Sequence, residues 1–343
     1  MGQSLQKLAE NNQDLTATPL LDLFENYAGS FHDLDRNLKL SGDNLRTARD
    51  ALTAGLVGQK VAAGDRVLLA VGNGPGFIVA FVAVLSVGGS PVLVHVDTPP
   101  AELVRLSREY DAQWALCDAW TENDLSTVSE SLSDLQFAPE ASLTLATFQR
   151  PRREQRRLPP IVAMPLHPTS GTTGIPKLAA RHGLAAIAEP RHYQQAMGIG
   201  PEDTILCVVP MSHAYGFGTS AIMPLTSGAS LVSSRRFQPH AVFRAMREYS
   251  ITTFPAVPAM LHLLLVASRG PIEGLPRRVL SAGAPLAEHT AREFFEKNGQ
   301  TAWSLYGSTE TGGICVDVEA PPDAAPGSVG PKLDPVSVQI IPL

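Results

Sequence analysis

Cysteine is scarce in this chain of 343 residues: there are three, Cys117, Cys207 and Cys315, odd in number and far apart. They give neither a disulfide framework nor a metal-binding spacing, and they fit a reduced cytosol. Positive charge is not in excess either, with 27 Lys and Arg against 33 Asp and Glu and a formal net charge of -6. No basic face for nucleic acid is expected from that balance. No apolar run reaches the roughly 20 residues of a membrane-spanning helix. The densest, residues 77–87, reads as a buried helix. The opening MGQSLQKLAENNQDL lacks an apolar signal core, and Gln6 stands where myristoylation needs Ser or Thr. No repeat or low-complexity tract stands out. These absences describe a soluble cytoplasmic protein with no membrane span and no nucleic-acid partner.

What is present is a large apolar fraction, 44%, in a chain long enough to divide into lobes, as usually happens beyond about 250–300 residues. Residues 41–57 carry Leu45, Ala48, Leu52 and Leu56 at helical spacing, with Ser41 and Asp43 at the start as candidate caps. Strands are expected at 67–71, 91–96 and 114–117, with helices at 77–87 and 101–110. That alternation predicts an α/β fold with a parallel sheet and right-handed crossovers. From 118 to 160 the pattern fades. Arg150, Arg152, Arg153, Arg156 and Arg157 cluster there, a run that reads as a solvated linker rather than a nucleic-acid patch. A second series follows. Helix is expected at 182–197, kinked or split by Pro190, and strand at 204–210. A helix end, turn and strand fit 221–233. Helix follows at 239–248, strand at 251–255, helix at 256–266, strand at 278–282, helix at 288–297 and strand at 301–306. The expected domains are a first lobe at 1–149, the Arg-rich linker at 150–160 and a second lobe at 161–325.

One glycine cluster is a decoy. Gly72, Gly74 and Gly76 follow a strand, and Asp97 ends the next one, which imitates the dinucleotide fingerprint of a nicotinamide dehydrogenase. However, Phe77 stands in the third glycine's place and Pro75 interrupts the turn, so a plain tight turn is the reading.

The chain is organised around IVAMPLHPTSGTTGIPK at 161–177. A short apolar run, 161–166, makes one buried strand. Behind it come Thr169, Ser170, Gly171, Thr172, Thr173, Gly174 and Lys177. Glycines let backbone N–H groups converge on an anion, hydroxyls add donors, and lysine adds a point charge suited to phosphate. The loop reads as a phosphate cradle, against the plainer alternative of a Ser/Thr/Gly surface loop. It is not a Walker loop, because Pro176 falls where the second glycine belongs and Leu178 follows Lys177.

TSGTTGIPK resembles the signature loop of the adenylate-forming superfamily of acyl-CoA synthetases, adenylation domains and luciferase. YGSTETGG at 306–313 resembles a second motif of that superfamily, in the expected order. SAGAPL at 281–286, VPMSHAYGFG at 209–218, APGSVGPKL at 325–333 and the first βαβ segment, GDRVLLAVGNGPGFIVAFVAVLSVGGSPV, match it too. The resemblance implies two stacked parallel-sheet α/β lobes in a five-layered αβαβα core. Residues 326–343 would then begin a β-barrel subdomain, with 336–341 as its first strand and an exposed edge open to dimerisation. The ribose-binding aspartate, the hinge and the small C-terminal domain with its lysine are not found, as in a truncated N-terminal core.

The implied reaction joins a carboxylic acid to the α-phosphate of Mg-ATP, giving acyl-AMP and pyrophosphate. The acyl group then passes to CoA or to the phosphopantetheine of a carrier protein. By the same resemblance Thr169 to Lys177 hold the β- and γ-phosphates, and Gly283, Ala284, Pro285, Ser304, Tyr306 and Gly307 hold adenine and AMP. Thr309 meets the α-phosphate and Glu310 binds Mg²⁺, which suits a hard oxygen ligand; outside the motif, Glu310 reads equally as a helix N-terminal acid. His213 is the gate beside the carboxylate, whereas a lone histidine reads as a loop cap. Tyr215, Phe217, Gly218, Phe254, Val257 and Ala282 line the acid pocket. No aspartate for a substrate amine occurs at 210–218, which favours an aliphatic or aryl acid over an amino acid. A fragment of this kind is expected to bind nucleotide and acyl-adenylate and to turn over poorly; the alternative is a non-catalytic nucleotide-binding module.

Overall fold

The computed structural model describes residues 17–120, 122–139, 141–148, 163–169, 177–318 and 327–341. The Arg-rich segment and most of the phosphate loop therefore lie outside the described residues. The chain opens with α1 (Thr18–Glu25), β1 (Ser30–Asp33) and β2 (Leu38–Ser41). Two compact units follow from the contacts: residues 1–28 with 40–187, and residues 29–39 with 188–343.

In the first unit, α2 (Gly42–Gly58) starts where its cap residue requires. Ser41 is extended and its side chain accepts from the Asn44 N–H, while Leu45, Ala48, Leu52 and Leu56 are buried. Its sheet contains β3 (Arg66–Ala70), β4 (Ser90–Leu93), β5 (Ala112–Cys117), β6 (Ser131–Ala138), β7 (Ala141–Thr147), β8 (Leu166–Thr169) and β9 (Lys177–Ala180). The order is β6-β7-β5-β3-β4-β8-β9. The central strands β5, β3, β4 and β8 run parallel, and β7, β6 and β9 are antiparallel additions. Between β3 and β4, α3 (Pro75–Ser86) buries all of Pro75 to Leu85, as a helix apolar on every side must. Gly74, at φ 125°, forms its N-cap, so the glycine cluster is a tight turn into a helix.

The second unit's sheet continues with β10 (Thr204–Cys207), β11 (Ser230–Ser233), β12 (Thr253–Ala256), β13 (Arg278–Ser281), β14 (Trp303–Ser308) and β15 (Gly312–Val316). The order is β15-β14-β13-β12-β10-β11-β1, with β2 at the far edge. From β14 through β1 the neighbours are parallel, and β15 turns back antiparallel on β14. The helix α6 (Gly183–Met197) follows a short α5 (Glu122–Ser126) and the first unit's α4 (Pro100–Glu109). α6 runs through Pro190 unbroken: proline deletes one ladder bond, and the turns on either side persist. Further on lie α7 (Ala214–Gly216), α8 (Met223–Ser227), α9 (Pro239–Glu248), α10 (Pro258–Ala267) and α11 (Glu288–Asn298). α9, α10 and α11 close one core with Phe254, Leu261, Leu264, Val279 and Phe294.

Three expectations are corrected. Residues 131–147, where no element was expected, form a hairpin of the first unit: their alternation is polar on one face and is held by pairing with β5. The strand expected at 161–166 is found as β8, displaced to Leu166–Thr169, and it pairs with β4 in the first unit's sheet; residues 163–187 thus join the first unit rather than opening the second lobe. Residues 336–341 form no strand, and Val338, Ile340 and Ile341 are 55%, 90% and 74% exposed. Alternation makes a strand only where a neighbour supplies a ladder. Here the nearby chain pairs with β15 instead, at Lys332 and Leu333. No helix among the described residues is long and apolar enough to cross a membrane.

Candidate functional site

Thr169 and Lys177 face each other in the last register of the β8–β9 ladder. The Thr169 hydroxyl donates to the Lys177 carbonyl at 3.4 Å, and the Lys177 side chain is exposed. Ser170, Gly171, Thr172, Thr173 and Gly174 lie outside the described residues.

In the second unit a cavity of about 1070 Å³ opens where the parallel strands end. Loops leaving the carboxyl ends of β10, β12, β13 and β14 build its walls, the usual ligand position on an open parallel sheet. His213 and Tyr215 come from the loop after β10, Val257 follows β12, and Ala282, Gly283, Ala284 and Pro285 follow β13. Ser304, Tyr306, Gly307 and Thr309 come from β14 and its turn. Eleven residues expected at the site thus share one cavity in this unit. Gly283, at φ 85°, takes the left-handed backbone its turn needs. Tyr306 is 52% exposed, an open ring face.

His213 is exposed, in extended backbone ahead of α7; its N–H donates to the Pro210 carbonyl at 3.1 Å and its carbonyl accepts from the Phe217 N–H at 2.7 Å. The Tyr215 hydroxyl is buried. Burial pushes it well above the ordinary tyrosine range, with the Ala256 backbone pulling weakly the other way. Phe217, Gly218 and Phe254 do not line the cavity. Both rings are fully buried, Phe254 within the core against α10 and α11; a ring on a central parallel strand goes to the helix layer that can bury it. Gly218 lies over Glu189 and Tyr193.

Glu310 sits exposed in the β14–β15 turn and outside the cavity wall. The Ser308 Oγ accepts the Thr311 N–H at 3.2 Å and lies 3.0 Å from the Thr311 hydroxyl, which closes that turn. Among the described residues no group of three or more His, Cys, Asp or Glu could hold a metal ion. The exposed Glu310 carboxylate beside Thr309 is the kind of hard oxygen ligand that a divalent cation shares with phosphate oxygens.

Sequence reasoning missed Glu189, Tyr193, Met260, Ser281 and Asp317, all of which line the cavity. Burial raises the Asp317 carboxyl above its ordinary value. The signal for Glu189 and Tyr193 was their spacing of four on one helix face.

A family model described as AMP-binding enzyme matches residues 22–341. Among curated proteins, 4-coumarate–CoA ligase 2 of Nicotiana tabacum is 26% identical over 294 residues, covering 77% of this chain and 51% of its own length. The probable CoA ligase CCL5 of Humulus lupulus is 28% identical over 306 residues, 83% of this chain and 55% of its own. The chain thus spans about half the length of the curated relatives it matches. Among solved structures, ATP-bound MatB of Rhodopseudomonas palustris superposes with TM-score 0.71 at 21% identity, covering 93% of this chain and 65% of that one. The o-succinylbenzoate CoA synthetase MenE of Bacillus subtilis, in complex with AMP, gives 0.73 at 19%, covering 92% and 80%. The fold is theirs, and with the family model matching nearly the whole chain, this protein belongs to the AMP-binding enzyme family.

Proposed function

We propose that this chain binds ATP and a carboxylic acid for conversion to acyl-AMP and pyrophosphate, with CoA as the eventual acyl acceptor. The observation that carries the reading is the single cavity walled by the 281–286 turn, the 304–309 segment and the His213 loop. The relatives named as CoA ligases support CoA over a carrier protein as acceptor.

In the reaction a carboxylate oxygen attacks the α-phosphorus, the bond to the β-phosphate's bridging oxygen breaks, and pyrophosphate leaves with that electron pair. Such a transfer asks the protein mostly to position and to neutralise charge. Gly283, Ala284 and Pro285 give adenine a flat backbone edge, and Tyr306 offers it a ring face. Thr309 donates to the α-phosphate, and Glu310 would hold Mg²⁺; in the first unit, Lys177 and the segment from Thr169 are matched by their motif to the outgoing phosphates. When bound, the cation neutralises charge on the phosphate oxygens. His213 borders the carboxylate, and Val209, Val257 and Met260 suit an aliphatic or aryl tail. The three cysteines, none in a disulfide, support a reducing, cytoplasmic setting.

Equilibrium dialysis with ATP and Mg²⁺ tests the reading. Saturable binding is expected that weakens in both Lys177→Ala and Glu310→Gln; binding indifferent to both changes would refute it.

A further inference from the structure

Two side chains of α6 grip the far end of the turn that carries Thr309. Glu189 and Tyr193 are only 8% and 1% exposed. The Tyr193 hydroxyl donates to Glu189 Oε1 at 2.6 Å, and the Gly313 N–H donates to the same oxygen at 3.1 Å. The contact is also steric. A β-carbon on Gly312 would fall 2.7 Å from the Glu189 carboxylate, and one on Gly313 would fall 2.1 Å from Tyr193 Oη. Across the hairpin, a β-carbon on Gly307 would meet the Gly312 carbonyl at 2.3 Å. Residues 308–311 are thus bounded by glycines with no room to slide, and one end is tied to a carboxylate. A charged acceptor makes the stronger kind of hydrogen bond, and burying one costs free energy unless it is bonded. Here one bond comes from the Tyr193 hydroxyl and one from the backbone of the turn.

We propose that Glu189 and Tyr193 are positioning residues for the nucleotide phosphate. They hold the β14–β15 turn so that Thr309 and Glu310 meet the phosphate and its cation without reorganising. The inference rests on the nucleotide reading above. It places on α6 a control on phosphate affinity that the motif residues do not carry themselves.

Calorimetric titration of the full chain with adenosine and with AMP separates the two claims, because adenosine reaches the 281–286 turn and Tyr306 but has no phosphate. In Glu189→Ala, AMP affinity is expected to fall roughly 10-fold, as for loss of a charged acceptor, with adenosine affinity unchanged. Glu189→Gln keeps the shape and an acceptor oxygen, so it recovers most of the loss; Tyr193→Phe falls between. These two milder variants carry the test if Glu189→Ala does not fold, and faster amide exchange at Gly313 in them reports the loosened grip. If AMP and adenosine weaken together, or neither does, the positioning role is wrong while nucleotide binding stands. If wild type binds neither compound, the nucleotide reading fails and this inference with it.

Discussion

The turn that would carry adenine hangs from β13, and the root of β13 is Arg278. Its Nη1 donates to Asp203 Oδ1 at 2.9 Å, its Nε to the Met197 carbonyl at 2.6 Å, and its Nη2 to the Gly198 carbonyl. The two side chains are 7% and 3% exposed. Asp203 also accepts from Arg277 at 2.7 Å and from the Gly200 N–H at 2.9 Å. Burial alone would raise the Asp203 carboxyl. The bonds from Thr252, Gly200, Arg278 and Arg277 outweigh it and hold the group below the ordinary carboxylate range. Arg278→Met keeps the stem and removes every donor. Breaking a buried pair from one side costs about 3–5 kcal/mol. Arg277, itself 62% exposed, still reaches Asp203, so the lower end is expected, about 3 kcal/mol. At about 2.1 cal/mol/K of unfolding entropy per residue over 343 residues, each kcal/mol moves the thermal midpoint by about 1.4 °C, so it falls by roughly 4 °C. A depressed carboxylate gives stability that is present above its unfolded value near 3.9 and lost as pH falls through the lower folded value. The deficit of the variant should therefore shrink below about pH 4. Urea unfolding followed through Trp303, buried next to β13, reads both effects. A deficit under about 1 kcal/mol at pH 7, below even the usual cost of such breaks, or one that grows in acid, would refute the reasoning.

Other outcomes follow from burial. Phe254→Ala should lose about 3–5 kcal/mol in denaturant unfolding, and a selective loss of acid affinity without that cost would return the ring to the pocket. A β-carbon on Gly216 would lie 2.2 Å from the Pro210 carbonyl oxygen. Gly216→Ala should therefore strain the His213 loop, destabilising the fold by about 1–3 kcal/mol, and an unchanged melting curve would contradict the geometry. Burial pushes the Cys117 and Cys207 thiols up to about 12. Thiol titration at pH 8 should count only the half-buried Cys315 until denaturant is added. Glu310→Gln should abolish the Mg²⁺-dependent part of ATP affinity and spare AMP, which parallel titrations with and without the metal would show.

Much of the architecture was legible because its signals are local. Ser41 caps α2, and the apolar run 77–87 fills α3 and ends at its C-cap Val87, since capping and all-round hydrophobicity act within one element. β6 and β7 were hidden because an edge hairpin keeps one polar face: Ser133, Asp134, Gln136 and Thr144 read as loop. β1 was hidden because its ladder partner, β11, lies some 200 residues along the chain. In the cavity, turns such as 281–286 build their own walls, so eleven of the expected residues line it, while Glu310 stands outside that wall. Phe217 and Phe254 did not, because the face a buried ring takes is decided by the helices packed over the strand. The Glu189 contact with Gly313 spans 124 positions, and no local pattern announces it.

The central claim is that one cavity accepts an adenylate together with its acyl tail. Calorimetric titration with non-hydrolysable acyl-adenylate mimics bearing alkyl, aryl or aminoacyl tails, against AMP, tests it directly. The account predicts that an alkyl or aryl mimic binds far more tightly than AMP and the aminoacyl mimic does not. Mimics that bind no better than AMP to the folded chain would contradict it.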